Sequence, residues 1–121
     1  MQNVANAVIV LVALLHLYFL VLEMFFWTKP LGRRAFGLSA EFVEASKRLA
    51  ANQGLYNGFL AAGLIWGVLL GEAGFAIKVF FLACVIIAGV FGAVTVSRKI
   101  LLVQALPAAV ALVLLIAPRY S

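Results

Sequence analysis

Two ionisable residues, His16 and Glu23, lie inside the first long apolar stretch of the chain, which runs from Val4 to Trp27. An ionisable side chain in such a stretch is costly to place in lipid and normally faces a protein interior or a wet cavity. A spacing of seven residues puts both side chains on one helix face, about 20° apart. They are about 10.5 Å apart along the helix axis, so they could act together only by flanking a ligand or substrate.

Two kinds of chemistry fit this pair. An intramembrane carboxylate such as Glu23 can exchange a proton for a cationic ligand, as in the four-helix small multidrug transporters. Alternatively, His16 and Glu23 could serve as acid and base on a lipid-like substrate, by analogy with membrane sterol isomerases. One His and one Glu are too few ligands for a closed metal or haem site unless a symmetric dimer doubles them, so we predict no metal and no cofactor.

The composition indicates that these residues belong to a membrane protein. Of the 121 residues, 67% are hydrophobic and 11% are charged, which is outside the range of ordinary soluble domains. We predict one all-α domain, residues 1–121, that forms a four-transmembrane-helix bundle with the lipid bilayer as its partner. The four predicted spans are Val4–Trp27, Leu49–Leu70, Phe75–Val96 and Ile100–Ala117.

The distribution of basic residues predicts how the chain crosses the membrane. The net charge is +5, and most Lys and Arg residues lie in two loops, 28–48 and around Ser97. The positive-inside rule places these loops in the cytoplasm and both termini outside. Because the basic residues lie between apolar stretches, we expect no nucleic-acid partner.

The first basic loop is expected to lead into the second span. Pro30, Gly32 and Gly37 should stop the first helix, and Ser39 is a good N-cap for the next one. From Ala40 the sequence predicts an amphipathic cytoplasmic lead-in, with Glu44 paired to Arg48, that continues into the second span. A short interfacial helix broken near Asn52 is the alternative.

This orientation gathers polar side chains in the cytoplasmic half of the protein. Glu23 lies near the inner end of the first span, and Asn57 lies between the depths of Glu23 and His16. We predict a polar pocket closed outward by aliphatic side chains; interhelical hydrogen bonding without a pocket is the alternative. The predicted ligand-binding residues are His16, Glu23, Asn52, Gln53, Tyr56, Asn57 and Gln104.

Small residues and one proline indicate how the helices pack. The pattern Gly54-xxx-Gly58 in the second span, and similar spacing in the third, lets helix backbones approach closely. This spacing fits packing within one bundle and also fits a homodimer, and both interpretations stay open. Pro107 should bend the fourth helix just after Gln104, because it removes a backbone donor.

Four segments of the chain resemble a bacterial family of small four-helix membrane proteins, family 1304 of the domains of unknown function. The segments begin at His16, Asn52, Ala88 and Val103, and the most specific of them contains Asn52-Gln-Gly-Leu-Tyr-Asn-Gly58. The resemblance implies a four-span bundle in the bacterial inner membrane, and it implies no activity. We therefore expect binding or transport of a small hydrophobic or cationic molecule, with a membrane enzyme or a structural assembly protein as alternatives.

Overall fold

The computed structural model describes residues 2–120, and in that range the chain consists of helices joined by short turns, without strands. The prediction of an all-α protein is confirmed. In chain order, the elements are α1 (Gln2–Phe25), α2 (Pro30–Phe36), α3 (Ala40–Leu69), a 3-10 turn (Gly71–Gly74), α4 (Phe75–Thr95), a π-helical turn (Leu101–Ala105) and α5 (Leu106–Tyr120).

Three helical segments within residues 2–120 are long and apolar enough to cross a membrane: Gln2–Phe25, Gly71–Thr95 and Leu101–Tyr120. Less than a third of the most apolar window of each segment is buried inside the protein. The remaining apolar side chains lie on the surface, where lipid solvates them far better than water does. These helices are those of a membrane protein.

The second predicted span, Leu49–Leu70, does not reach the same hydropathy. It falls within α3, which at 30 residues is long enough to cross a bilayer. Its first half, however, carries the amide side chains of Asn52, Gln53 and Asn57, which lower the average hydropathy of the segment. Three of the four predicted spans therefore have a counterpart among the apolar helices.

The loop after α1 contains a helix that the sequence did not predict. Pro30 occupies the first turn of α2 instead of only ending α1, and Gly37, with a φ of 63°, ends α2 in the left-handed conformation. Proline suits a first helical turn because its missing N–H has no partner there, and glycine adopts positive φ without strain. The two residues interpreted as helix stops therefore bound a short helix.

The start of α3 agrees with the sequence in two respects and differs in one. Ser39 Oγ accepts a hydrogen bond from the Phe42 N–H at 3.2 Å, which confirms the N-cap. The helix continues unbroken past Asn52, so the alternative of a short interfacial helix broken there is wrong. The prediction that Glu44 pairs with Arg48 is also wrong, because Glu44 Oε1 lies 2.6 Å from Lys47 Nζ.

The helices contribute to two compact units. One unit comprises the described residues up to Ala13 and those from Ala62 onward, and the other comprises Leu14–Ala61. In the first unit, α4 packs against the π-helical turn and α5. Gly89 permits this approach, since a Cβ there would lie 2.8 Å from the Ala105 backbone nitrogen.

The backbone irregularity expected at Pro107 takes the form of the π-helical turn. The Leu106 N–H donates to the carbonyl of Leu101, five residues earlier, where a regular α-helix would bond to the residue four earlier. Pro107 has no N–H to offer the carbonyl of Val103. The regular hydrogen-bond pattern therefore resumes only in α5.

Candidate functional site

Glu23 and Asn57 are the two predicted site residues that the structure brings into direct contact. Asn57 Nδ2 donates a hydrogen bond of 2.5 Å to Glu23 Oε1. Asn57 is buried, with 4% of its surface exposed, whereas Glu23 is half-buried. The carboxylate is thus fixed at one oxygen by a buried amide while the residue keeps part of its surface accessible.

Glycines on α3 allow this contact between two helices. A Cβ at Gly54 would lie 2.7 Å from Met24 Cγ and 3.1 Å from Glu23 Cβ. A Cβ at Gly58 would lie 2.7 Å from Leu20 Cδ1. Without those side chains the α3 backbone approaches α1 closely enough for the short Asn57 side chain to reach Glu23.

His16 lies two helical turns before Glu23 and is completely buried. Its ring meets Phe19 edge-on, with the ring centroids 5.5 Å apart and the planes at 72°. The two predicted acid–base residues therefore differ in environment, because the imidazole is enclosed by protein while the carboxylate is partly accessible.

Three predicted site residues on α3 are exposed: Asn52, Gln53 and Tyr56. The buried face of α3 in this region is formed by Ala50, Gly54, Asn57 and Ala61. At 100° per residue, positions 52 and 56 fall on the opposite side of the helix and position 53 falls at the flank. The expected gathering of these side chains around Glu23 is therefore not observed.

Gln104 is half-buried and belongs to the π-helical turn of the other compact unit. Turns of π-helix often occur at functional sites. The sequence predicted a bend just after Gln104, at Pro107, but it did not predict that Gln104 lies in a π-helical turn.

Lys78 is a buried polar residue that the sequence analysis did not single out. It has no exposed surface, and its Nζ donates a hydrogen bond of 3.0 Å to Asn6 Oδ1. Its stem lies against Gly67, where a Cβ would be 2.8 Å from Lys78 Cγ. A lysine one turn inside an apolar helix, together with a Gly-xxx-Gly pattern on the preceding helix, is the signal that could have indicated a buried ammonium.

The chemistry open to this arrangement centres on Glu23. A partly accessible carboxylate in an apolar helix can accept a proton or a cation, and the Asn57 amide fixes its orientation. Across residues 2–120, no group of three or more His, Cys, Asp or Glu side chains is placed to hold a metal ion. The site therefore offers one oriented carboxylate.

Comparison with known proteins identifies the family. The chain is 34% identical over 96 residues to an uncharacterized protein, YpaA, of Lactococcus lactis subsp. lactis (strain IL1403), an alignment that covers 78% of this chain and 81% of YpaA. No solved structure matches the chain. Residues 10–116, which include Glu23, Asn57 and Lys78, match the family described as protein of unknown function (DUF1304). The chain therefore belongs to the DUF1304 family, as the resemblance of its sequence predicts.

Proposed function

We propose that this protein binds a small hydrophobic cation at the carboxylate of Glu23, within the membrane. The observation that carries the proposal is the hydrogen bond from buried Asn57 to half-buried Glu23, inside a helix apolar enough to span a bilayer. Structural contacts between membrane helices need only amides and hydroxyls, and a carboxylate adds a desolvation cost. Retaining a carboxylate at this position is understandable if it receives a cation or a proton.

The proposal includes a four-span topology with both termini outside the cytoplasm of a bacterial cell. Helix α3 has 30 residues and a length of about 45 Å, so it can cross the bilayer despite its amides. The two basic loops then face the cytoplasm, and Glu23 lies near the cytoplasmic end of α1. A ligand would reach Glu23 from the inner leaflet or from the cytoplasm, and transport would require a further step that releases it outside.

The test is binding of tetraphenylphosphonium, a lipophilic cation, to the full-length protein in nanodiscs. Glu23→Gln removes the charge and keeps an oxygen that can accept from Asn57, so we expect binding to weaken by at least about tenfold through the loss of one ion pair that is partly shielded from water. Glu41→Gln is the matched control, because Glu41 is exposed at the start of α3 outside the apolar helices. Binding should also weaken as the pH falls, since protons compete for the same carboxylate.

Equal binding by the wild-type protein and Glu23→Gln would refute the proposal. A structural role is then the second candidate, and the close approach of Gly54 and Gly58 to α1 favours it. In that case Glu23→Gln would change the free energy of unfolding without changing cation binding. The two functions are therefore separated by measuring stability and binding on the same variant.

A further inference from the structure

Arg33 carries a polar group that lacks a protein partner. Its Nε–H is shielded from solvent, and no hydrogen-bond acceptor for it lies within residues 2–120. Buried donors in folded proteins are nearly always paired with protein, water or a ligand. Arg33 lines an open surface cavity of about 370 Å³ together with Pro30, Arg34, Gly37 and Leu38. Two arginine residues therefore border one concave surface.

The position of α2, which carries both arginines, is fixed by contacts with the end of α1. Gly32 lies directly against the carbonyl of Phe26, where a Cβ could not fit. The Trp27 ring packs against Phe36 with centroids 5.1 Å apart, and its Nε1–H donates to Ser46 Oγ at 3.1 Å. The arginines are thus held on a short helix that is packed against its neighbours.

With α1 spanning the bilayer, its length would place α2 at the level of the lipid headgroups. Twenty-four helical residues extend about 36 Å, slightly more than the roughly 30 Å hydrocarbon core of a bilayer. Helix α2 begins five residues after α1 ends, and Trp27 between them is a residue type enriched at membrane interfaces. In that placement Arg33 and Arg34 would lie at the depth of the lipid phosphates.

The segment that carries the cavity combines positive charge with exposed apolar side chains. Residues 28–48 contain five Lys or Arg residues and two Glu residues. Phe26, Leu31 and Phe36 are exposed on the same short segment. A soluble phosphate would need only the basic groups, whereas an anionic phospholipid would use the apolar side chains as well.

We propose that the cavity between α2 and the turn that follows it binds the phosphate of an anionic phospholipid, with the Arg33 and Arg34 guanidinium groups as donors and Leu31 and Phe36 beside the acyl chains. Arginine suits this role because its planar group forms paired hydrogen bonds to phosphate oxygens. The proposal does not depend on cation binding at Glu23.

The test is native mass spectrometry of the full-length protein, released from detergent after equilibration with equal amounts of phosphatidylglycerol and phosphatidylcholine. The wild-type protein should retain phosphatidylglycerol preferentially. Arg33→Gln/Arg34→Gln removes the charged hydrogen-bond donors that line the cavity, so it should lower the retained phosphatidylglycerol by at least about tenfold. Lys47→Gln/Arg48→Gln removes the same charge from the same loop but not from the cavity lining, so the loss should be clearly smaller than in the arginine variant.

Further measurements identify the source of the phosphate group and control for misfolding of the variants. Excess inorganic phosphate should leave phosphatidylglycerol bound; displacement to background would assign the cavity to free phosphate and overturn the proposal. Equal losses in the two double variants, or no preference over phosphatidylcholine, would also overturn it. Arg33→Lys/Arg34→Lys keeps the charge without the planar group, so it should lose less bound phosphatidylglycerol than the glutamine variant and more than the wild-type protein. This variant replaces the glutamine variant in the test if the latter does not fold.

Discussion

Asn57 on α3 donates its hydrogen bond to Glu23 on α1 across 34 positions of sequence. The pair joins the most deeply buried amide side chain of α3 to the single carboxylate of α1, two residues before that helix ends. The Asn57 amide orients the Glu23 carboxylate without neutralising its charge, whereas a basic residue at the same place would neutralise it. Glu23 thereby keeps its capacity to accept a proton or an external cation.

Removing this hydrogen bond should destabilise the protein. We expect Asn57→Ala to lower the free energy of unfolding by about 0.6–2 kcal/mol, because hydrogen bonds between membrane helices contribute in that range and the carboxylate loses its buried donor. The measurement is unfolding of the protein in mixed micelles titrated with sodium dodecyl sulfate.

Asn52→Ala is the matched control for that measurement. It removes the same amide from the same helix at an exposed position, so its effect should stay below about 0.5 kcal/mol. Equal effects of the two substitutions would contradict a specific contribution from the Glu23–Asn57 contact.

The two glycines beside Asn57 should respond differently to alanine. At Gly54 a new Cβ would meet Met24 Cγ at 2.7 Å and the Leu20 carbonyl oxygen at 3.2 Å, so α3 would have to move. We expect Gly54→Ala to cost about 1–2 kcal/mol after allowing for the better helix propensity of alanine. At Gly58 the close atom is the terminal Leu20 Cδ1, which can rotate away, so Gly58→Ala should change stability by less than about 1 kcal/mol. The same micelle titration measures both, and a larger loss at Gly58 would contradict this packing.

The Ser39 cap should control fraying at the start of α3. Ser39→Ala removes the acceptor of the Phe42 N–H and should cost about 1 kcal/mol locally, which is roughly a fivefold faster hydrogen exchange of that amide. Ser39→Asp keeps an acceptor and adds a favourable charge at the helix N-terminus, so exchange should stay slow. Unchanged exchange in Ser39→Ala would show that the cap does not hold this turn.

The apolar stretches and the cap were predictable because their causes are local. Ser39 caps the residue three positions ahead, and the polar interruption of an apolar helix at Glu23 is visible in the sequence itself. Running two adjacent helices in opposite directions predicted that Asn57 lies between the depths of Glu23 and His16, but it did not single out the Glu23–Asn57 hydrogen bond. In contrast, α2 was missed because Pro30 and Gly37 break helices and also bound them, and local sequence does not decide between these roles.

The exposed amides and the buried lysine depend on information that a single helix does not contain. Asn52 and Tyr56 are polar and lie close to Asn57 in sequence, but the face of α3 that packs against α1 is selected by Gly54 and its contacts. A lysine near a helix end in lipid normally extends its stem toward water, so the position of Lys78 alone, without the glycine pattern of the preceding helix, did not indicate its burial. Asn6, which accepts its hydrogen bond, lies 72 positions away.

The stability of the protein should fall more when Asn6, the acceptor for the buried Lys78, is replaced than when Lys78 itself is replaced. Asn6→Ala leaves an ammonium enclosed without its Oδ1 partner, and we expect a loss of about 1–3 kcal/mol in the free energy of unfolding. Lys78→Met removes the charge and keeps a flexible stem against Gly67, so stability should be unchanged or higher, as when apolar residues replace buried ionic groups. The double variant Asn6→Ala/Lys78→Met should recover most of the loss seen in Asn6→Ala alone, because no buried ammonium then remains. A Lys78→Met variant less stable than Asn6→Ala would contradict this account and would mean that the ammonium makes a stabilising interaction beyond its hydrogen bond to Asn6.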